Sequence, residues 1–222
     1  MGHPGLGRVQ YIADHHAGSA PEDVLELAAL VLDAGVRSVQ VRCKACPDRD
    51  RYGLAKSAAA LCRAAGATCL VNDRVDIALA VGADGAHIGS EDLPVGVARH
   101  LLGPGAVLGV TARSPEEAQA AERGGADYIG AGPCYHTLTK AGLPAPIGLK
   151  GLAAIAQAVS IPVFAIGGLS AAQLPELFAA GAYGVAVISA IASAPDPFGA
   201  ARELVTSARA LAGASARAGA AP

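Results

Sequence analysis

The stretch Leu70–Asp92, LVNDRVDIALAVGADGAHIGSED, contains two short apolar runs separated by one helical segment. The first run ends at Asn72-Asp73, and the second is followed in the next loop by Asp92. Neither run alternates apolar with polar residues, which is typical of strands buried on both faces of a parallel sheet. The order strand, helix, strand predicts a βαβ unit. The two acidic residues are then either solvated loop residues or halves of one site.

The same pattern recurs along the whole chain. A helical segment rich in alanine ends at or near a glycine, and a short apolar run begins a few residues later. Glycine at a helix end adopts the left-handed backbone conformation that other residues resist. We predict strands near Val9–Ala13, Ser38–Arg42, Thr68–Asn72, Gly85–Ile88, Val107–Thr111, Tyr128–Ala131, Pro162–Ile166 and Gly184–Ile188. Helices are predicted near 21–34, 49–65, 74–81, 94–102, 115–124, 149–159, 171–180 and 198–211.

Consecutive βα units throughout a chain of 222 residues predict an α/β protein with a single (β/α)8 TIM barrel. A doubly wound open sheet would fit fewer strands, and no G-x-G-x-x-G motif follows the first strand. We expect one catalytic barrel domain over residues 1–211. Residues 212–222, AGASARAGAAP, are low in complexity, and we expect a disordered tail there.

Composition excludes several classes of protein. The net charge is −2, and no run of Lys and Arg indicates nucleic-acid binding. The N-terminus lacks the basic and apolar regions of a signal peptide, and no apolar run is long enough to span a membrane. We therefore expect a cytoplasmic protein that acts on small molecules, and we leave open whether it forms a homo-oligomer.

Five cysteines without a secretory signal favour free thiols. Cys43 and Cys46 form a C-x-x-C pair, but the second pair that a zinc ribbon would need is missing from the sequence. We favour two independent thiols, with a redox pair as the alternative. Among the histidines, we expect His87 to be hydrogen-bonded inside the barrel, and His15, His16 and His100 to lie at the surface.

Chemistry in a barrel takes place at the carboxyl ends of the strands. At the end of the second strand, Gln40, Arg42 and Lys44 alternate with two apolar residues, so the three polar side chains share one face. Cations directed into the barrel mouth are costly to desolvate unless an anion meets them. The pattern favours an anionic ligand, with a structural ion pair as the alternative.

Asp73 and Asp92 follow the third and fourth strands, which are neighbours in a barrel. One or two carboxylates together with substrate phosphate oxygens are typical ligands of Mg²⁺. We therefore predict that the two acids hold Mg²⁺. The alternative for Asp92 is an N-cap of the fourth helix.

A second anion site is predicted on the other side of the mouth. The long loop Gly132–Gly148 carries Thr137, Thr139 and Lys140, and a loop of this length in a compact domain is usually functional. Glycines after the seventh strand and Ser189 after the eighth match the backbone phosphate site of many barrels. Two anion sites indicate a transferase that joins two phosphorylated substrates.

From about Tyr11 to Ala210 the chain resembles the thiamine phosphate synthase family. The resemblance rests on six motifs that occur in order at strand ends. They are Q-x-R-x-K (Gln40–Lys44), V-N-D (Val71–Asp73), G-x-H-x-G-x-x-D (Gly85–Asp92), G-P-x-Y-x-T-x-T-K (Gly132–Lys140), I-G-G (Ile166–Gly168) and I-S (Ile188–Ser189).

The resemblance implies condensation of 4-amino-2-methyl-5-hydroxymethylpyrimidine diphosphate with 4-methyl-5-hydroxyethylthiazole phosphate, giving thiamine phosphate and pyrophosphate. It implies Mg²⁺ on Asp73 and Asp92, with catalytic cations at Arg42, Lys44 and Lys140. The implied pyrimidine-diphosphate contacts are Gln40, Val41, Arg42, Cys43, Lys44, Asn72, Thr111 and Lys140. The implied thiazole-phosphate contacts are Thr137, Leu138, Thr139, Gly168, Ile188 and Ser189.

Five positions depart from the common family pattern: Cys43, Ser90, Thr111 (a conservative replacement of Ser), Arg113 and His136. They keep three alternatives open. A thiazole tautomerase shares the barrel but uses a histidine where this chain has Arg113. A diverged paralogue would alkylate a different nucleophile. A non-catalytic phosphate-ligand sensor would not need two metal carboxylates and three cations.

Overall fold

The computed structural model describes residues 6–15, 19–137, 139, 142 and 144–218. Eight parallel strands follow one another in sequence order around a closed barrel, and the last strand pairs with the first. The prediction of a single (β/α)8 barrel is confirmed.

The strands begin and end close to the predicted residues. They are β1 Val9–His15, β2 Ser38–Cys43, β3 Thr68–Asn72, β4 Gly85–Ile88, β5 Val107–Ala112, β6 Tyr128–Ala131, β7 Val163–Ile166 and β8 Gly184–Val187. The helices are α1 Pro21–Asp33, α2 Asp48–Ala64, α3 Val75–Val81, α4 Val95–Leu102, α5 Pro115–Arg123, α6 Gly148–Ala158, α7 Leu174–Ala179, α8 Ser189–Ala192 and α9 Pro197–Ala218. A 3₁₀ turn, Ala171–Gln173, precedes α7.

Local sequence signals account for several helix boundaries. Ser114 accepts a hydrogen bond from the backbone N–H of Glu117 at 3.2 Å, so it caps α5. Pro115 occupies the first turn of the same helix, where its missing N–H costs nothing. At the other end of a helix, Gly82 closes α3 in the left-handed conformation with φ 64°.

The carboxy-terminal region differs from the prediction in two respects. The short helix α8 lies between β8 and the last long helix, and α9 continues to Ala218 rather than ending at 211. Alanine has the highest helix propensity, which explains why an Ala-rich segment prolongs the helix. Disorder of the tail over 212–222 stays a prediction, although its first part is helical in the structure.

Alternation along the strands separates two layers of side chains. Leu70, Tyr128 and Phe164 pack together inside the barrel and form its floor. Val39, Val41 and their counterparts face outward and pack in the core beneath the helices. The polar residues at the carboxyl ends of the strands therefore lie above a filled barrel, where they can meet a ligand.

In the part of the chain that the structure describes, no helix combines the length and the apolar character that crossing a membrane requires.

Candidate active site

Asp73 and Asp92 come close together at the barrel mouth. Asp73 follows β3 with φ 64°, an uncommon conformation for a residue other than glycine, and its N–H donates to the carbonyl of His87 at 2.8 Å. Asp92 accepts from the N–H of Gly89 at 2.7 Å. Burial raises the pKa of Asp92, and the neighbouring carboxylate of Asp73 raises it further. Such crowding of like charges is relieved by a bound cation.

Lys44 belongs to the same cluster. Its Nζ lies 2.6 Å from Oδ2 of Asp73, and 47% of its side chain remains exposed. The ammonium group therefore neutralises one of the acids and still faces the mouth. We call Lys44, Asp73 and Asp92 the acid–lysine cluster.

Arg42 has a partner that the sequence analysis missed. Its Nη1 lies 2.6 Å from Oδ1 of Asp14, which occupies the equivalent position on β1. Both side chains are largely buried, at 17% and 9% exposure. The ion pair considered as the alternative for Arg42 is therefore present. A sequence signal existed, because Gln10 and Asp14 share one face of the first strand, as Gln40 and Arg42 share one face of the second.

The remaining residues of the Gln40–Lys44 segment are not all at the mouth. Gln40 is buried, and its Nε2 donates to Oε1 of Gln10 at 3.2 Å within the barrel. Val41 and Cys43 are buried in the outer core, because successive residues of a strand point to opposite faces. Their side chains therefore cannot make the predicted substrate contacts. Only the backbone of these two residues lies beside the mouth.

His87 is hydrogen-bonded inside the barrel, as predicted. Its Nδ1 lies 2.8 Å from the hydroxyl of Tyr128, and its Nε2 lies 2.9 Å from Oγ1 of Thr111. Desolvation by burial lowers the pKa of His87 to about 4, so the imidazole is neutral near pH 7.

The neutral imidazole has one proton, so one of its ring nitrogens donates to its hydroxyl partner and the other accepts. The Tyr128 hydroxyl also accepts from Gln10 Nε2 at 3.2 Å. His87 therefore links Tyr128 in the barrel interior to Thr111 at the end of β5. Asn72, at the end of β3, is half-buried nearby, and His87 is its register partner on β4.

Three hydroxyl groups form a second cluster on the other side of the mouth. Thr137 Oγ1 donates to Thr139 Oγ1 at 3.2 Å, and Thr139 Oγ1 donates to Ser189 Oγ at 3.4 Å. Ile188 immediately precedes α8, and Ser189 is its first residue. Three of the predicted thiazole-phosphate residues, Thr137, Thr139 and Ser189, thus come together. We call Thr137, Thr139 and Ser189 the hydroxyl cluster.

Beside the hydroxyl cluster, two backbone segments approach so closely that only glycine fits at position 168. Gly168 has φ +69°, and a Cβ there would lie 2.4 Å from the carbonyl oxygen of His136. This approach holds the long loop against the end of β7. Leu138 and Lys140 lie outside the described residues, so their predicted roles stay predictions.

Arg113 anchors both ends of the long loop. Its Nη1 donates to the carbonyl of Gly132 at 3.0 Å, and its Nη2 donates to that of Ala145 at 2.8 Å. In the sequence, Arg113 stands out only as a departure from the family pattern. Since the spacing between positions 113 and 145 reveals no contact, this role could not be read from the sequence.

The expectation of independent thiols is wrong for one pair, because Cys43 and Cys46 are joined by a disulfide. The loop after β2 brings their Cα atoms to 5.9 Å, a separation that suits a disulfide. Cys62, Cys69 and Cys134 are free and buried. Among the surface histidines, His100 is exposed as predicted and His16 lies outside the described residues, whereas His15 is half-buried and contacts Cys43.

Comparisons with known proteins agree with this geometry. A family model described as thiamine monophosphate synthase matches residues 9–191. The thiamine-phosphate synthase of Salinispora arenicola is 53% identical over 193 residues, which are 86% of this chain and 92% of that protein. The corresponding protein of Moorella thermoacetica is 50% identical over 188 residues, which are 83% of this chain and 90% of that protein.

A solved structure of the same fold is also similar to this chain. The thiamine phosphate pyrophosphorylase from Pyrococcus furiosus superimposes with a TM-score of 0.82 at 37% identity. The alignment covers 92% of this chain and 96% of that one. From this barrel, its two polar clusters and these relatives, we conclude that the chain belongs to the thiamine monophosphate synthase family.

Proposed function

We propose that this protein is a Mg²⁺-dependent thiamine phosphate synthase. It joins the pyrimidine diphosphate to the thiazole phosphate and releases pyrophosphate. The observation that carries the proposal is the presence of two different clusters at one barrel mouth. The acid–lysine cluster combines charges suited to a metal-bound diphosphate, and the hydroxyl cluster offers neutral donors suited to a phosphate monoester.

The donor set fits Mg²⁺. Asp73 and Asp92 supply two adjacent carboxylates, and carboxylate oxygens are the ligands that Mg²⁺ prefers. The raised pKa of Asp92 reflects partial burial and a like charge beside it, an arrangement that a divalent cation stabilises. When bound, the ion would neutralise negative charge on the diphosphate as it departs.

The protein groups act mainly by positioning and by electrostatic stabilisation. The bond between the exocyclic carbon of the pyrimidine and the diphosphate oxygen breaks, and both electrons leave with the pyrophosphate. Lys44 and Arg42 stabilise that growing charge from preorganised positions. We assign the same role to Lys140. The ring nitrogen of the thiazole, held by its phosphate at the hydroxyl cluster, then attacks the pyrimidine carbon.

Thr111 orients the pyrimidine in this proposal. Its Oγ1 lies 2.9 Å from Nε2 of His87. In the tautomer that donates from Nε2, the Thr111 hydrogen is available to a ring nitrogen of the substrate. Asn72 lies on the neighbouring strand and offers an amide to the same ligand. A neutral His87 is needed for this arrangement, since a protonated imidazole has two N–H donors and could accept from neither hydroxyl.

The tautomerase alternative is not favoured. Its proton transfer would need a titrating histidine at position 113, whereas the guanidinium of Arg113 is engaged by two loop carbonyls. A guanidinium remains protonated at any ordinary pH and cannot serve as a base.

The test is incubation of the purified protein with both substrates and Mg²⁺, followed by mass detection of thiamine phosphate and pyrophosphate. Both products are expected in equal amounts, and chelation of the metal should stop their formation. A tautomerase or a sensor would give no condensation product. A paralogue would give a pyrimidine adduct only when another nucleophile is supplied.

We further propose a homo-oligomer in the cytoplasm, where charged phosphorylated substrates are retained. Val97 and Leu101 lie one turn apart on α4, and Leu93 lies just before that helix, with exposures of 46%, 49% and 41%. Exposed apolar patches are typical of association surfaces. Light scattering on the purified protein tests this, and a monomer at micromolar concentration would contradict it.

A further inference from the structure

A cluster of metal-binding groups lies outside the proposed active site, at the ends of β1 and β2. His15 and Cys43 are register partners on these strands, and His15 Nδ1 lies 3.4 Å from Cys43 Sγ. Cys46 follows in the next loop, and the three potential ligand atoms all lie within 4.8 Å of one another. We propose that His15, Cys43 and Cys46, with the thiols reduced, bind a thiophilic divalent cation such as Zn²⁺.

This site is separate from the acid–lysine cluster. Alternation along β2 directs Arg42 into the barrel, where it meets Asp14, and directs Cys43 to the outer face. The two metal sites would thus lie on opposite faces of one strand. They also differ in chemistry, because thiolate and imidazole select zinc whereas carboxylates select magnesium.

The loop that carries the two cysteines is held in place by Arg51 of α2. Its Nε donates to the carbonyl of Cys43 at 2.9 Å, and its Nη2 donates to that of Cys46 at 3.1 Å. These bonds fix the backbone on both sides of Lys44 without using either sulfur atom. The sulfurs are therefore brought together by the fold, and binding a metal requires little further ordering.

The proposed ligand set is electrically well matched to Zn²⁺. Two thiolates balance the charge of the dication, so the site adds no net charge to a region that already contains Arg51 and Lys44. Two sulfurs and one imidazole nitrogen supply three ligands of a tetrahedral site, and water takes the fourth position.

The metal and the disulfide use the same sulfur atoms and exclude each other. A dithiol reductant opens the disulfide by exchange, is itself oxidised to a disulfide, and leaves two protein thiols. Zinc then displaces the two thiol protons as it binds. The site therefore exists under reducing conditions, which are those of the cytoplasm.

Zinc binding by the reduced, full-length protein tests the proposal. The protein is reduced without oxygen, equilibrated with Zn²⁺, desalted and analysed for metal. Co²⁺ serves as a spectroscopic substitute, since thiolate ligation gives a charge-transfer absorption. We expect about one tightly held ion per chain and a cobalt spectrum typical of tetrahedral sulfur ligation. Zinc should also raise the melting temperature of the reduced protein.

Matched variants identify the ligands. Cys46→Ser and His15→Asn alter partly exposed groups, and each should weaken zinc binding by at least about tenfold and reduce the cobalt absorption. Cys62→Ala removes a buried thiol outside the cluster and should leave the zinc content unchanged. Asp92→Asn should also leave it unchanged, because that carboxylate belongs to the other site.

Three results would overturn the proposal. The first is a reduced protein that retains no zinc and gives no thiolate–cobalt absorption. The second is zinc that is lost on Asp92→Asn but kept on Cys46→Ser. The third is that Cys43 and Cys46 re-form their disulfide and bind no metal, which would make them a redox pair instead. None of these measurements depends on the formation of thiamine phosphate.

Discussion

Asp14 and Arg42 are register partners on β1 and β2, and their side chains form an ion pair of 2.6 Å in the barrel mouth. The pair holds the guanidinium group on the inner face of the sheet, where the diphosphate is proposed to bind. Because both side chains are largely buried, removing one partner leaves an uncompensated charge.

For this pair we expect Arg42→Gln to lower the free energy of unfolding by about 3 kcal/mol. Asp14→Asn leaves Arg42 charged but unrestrained, so it should lower kcat by about tenfold or more while Mg²⁺ binding is retained. Urea unfolding and steady-state kinetics on the two variants and their combination measure the coupling. Strictly additive effects would show that the two residues do not act together.

The second prediction concerns Asp92. Its raised pKa means that the folded protein disfavours the charged carboxylate when no metal is bound. Asp92→Asn should therefore not lower the melting temperature of the metal-free protein, and should raise it modestly near neutral pH. The same change should reduce Mg²⁺-dependent synthesis by at least about a hundredfold.

Differential scanning fluorimetry with and without Mg²⁺ and pyrophosphate checks both parts. The wild-type protein should be stabilised by the two ligands together, and Asp92→Asn should not. Undiminished turnover by the variant would contradict the assignment of this residue to the metal.

The third prediction is a pH dependence of stability that arises from His87. The imidazole has an ordinary pKa of 6.5 in the unfolded chain and a pKa of about 4 in the folded one. This lowered pKa contributes about 3 kcal/mol at most to the free energy of unfolding. The contribution is fully present above pH 6.5 and is lost as the pH falls towards 4.

His87→Gln keeps one donor and one acceptor but cannot titrate. The difference in unfolding free energy between the wild type and this variant should shrink steadily between pH 6.5 and 4. Urea denaturation at several pH values measures it. A difference that is the same at all pH values would falsify the burial of a neutral imidazole.

The fourth prediction tests which substrate binds at the hydroxyl cluster. Ser189→Ala removes one donor of the hydroxyl cluster, and a hydrogen bond to a charged group contributes about 1.5–3 kcal/mol. We expect the KM for the thiazole phosphate to rise by about tenfold to a hundredfold, with the KM for the pyrimidine diphosphate nearly unchanged. Ser90→Ala, an exposed serine near Asp92, provides the control and should affect neither value. If the KM for the pyrimidine substrate rose instead, the two substrates would have been assigned to the wrong clusters.

Much of this molecule could be predicted from its sequence because the relevant signals are local. Short non-alternating apolar runs and helix-ending glycines were enough to identify eight βα units, and strand order then placed Asp73 and Asp92 side by side. Arg42 and Lys44 were identified as mouth residues from alternation along one strand alone.

The features that were missed depend on contacts between distant segments. The pairing of Asp14 with Arg42 requires the register of β1 against β2, which is set by packing in the barrel. The bond between Cys43 and Cys46 requires a loop conformation that Arg51 holds from the following helix. Arg113 reaches Ala145 across a segment whose path the sequence does not reveal.

The anchoring of the long loop by Arg113 also bears on how one barrel position is used for different purposes. An arginine at position 113 links the two ends of the loop through carbonyl contacts, and a permanently charged group with that task has no proton to exchange. A histidine at the same position could exchange protons but is too short to span both carbonyls. Exchanging the residue at position 113 would therefore change two things at once: the proton chemistry available there and the link between the two ends of the loop.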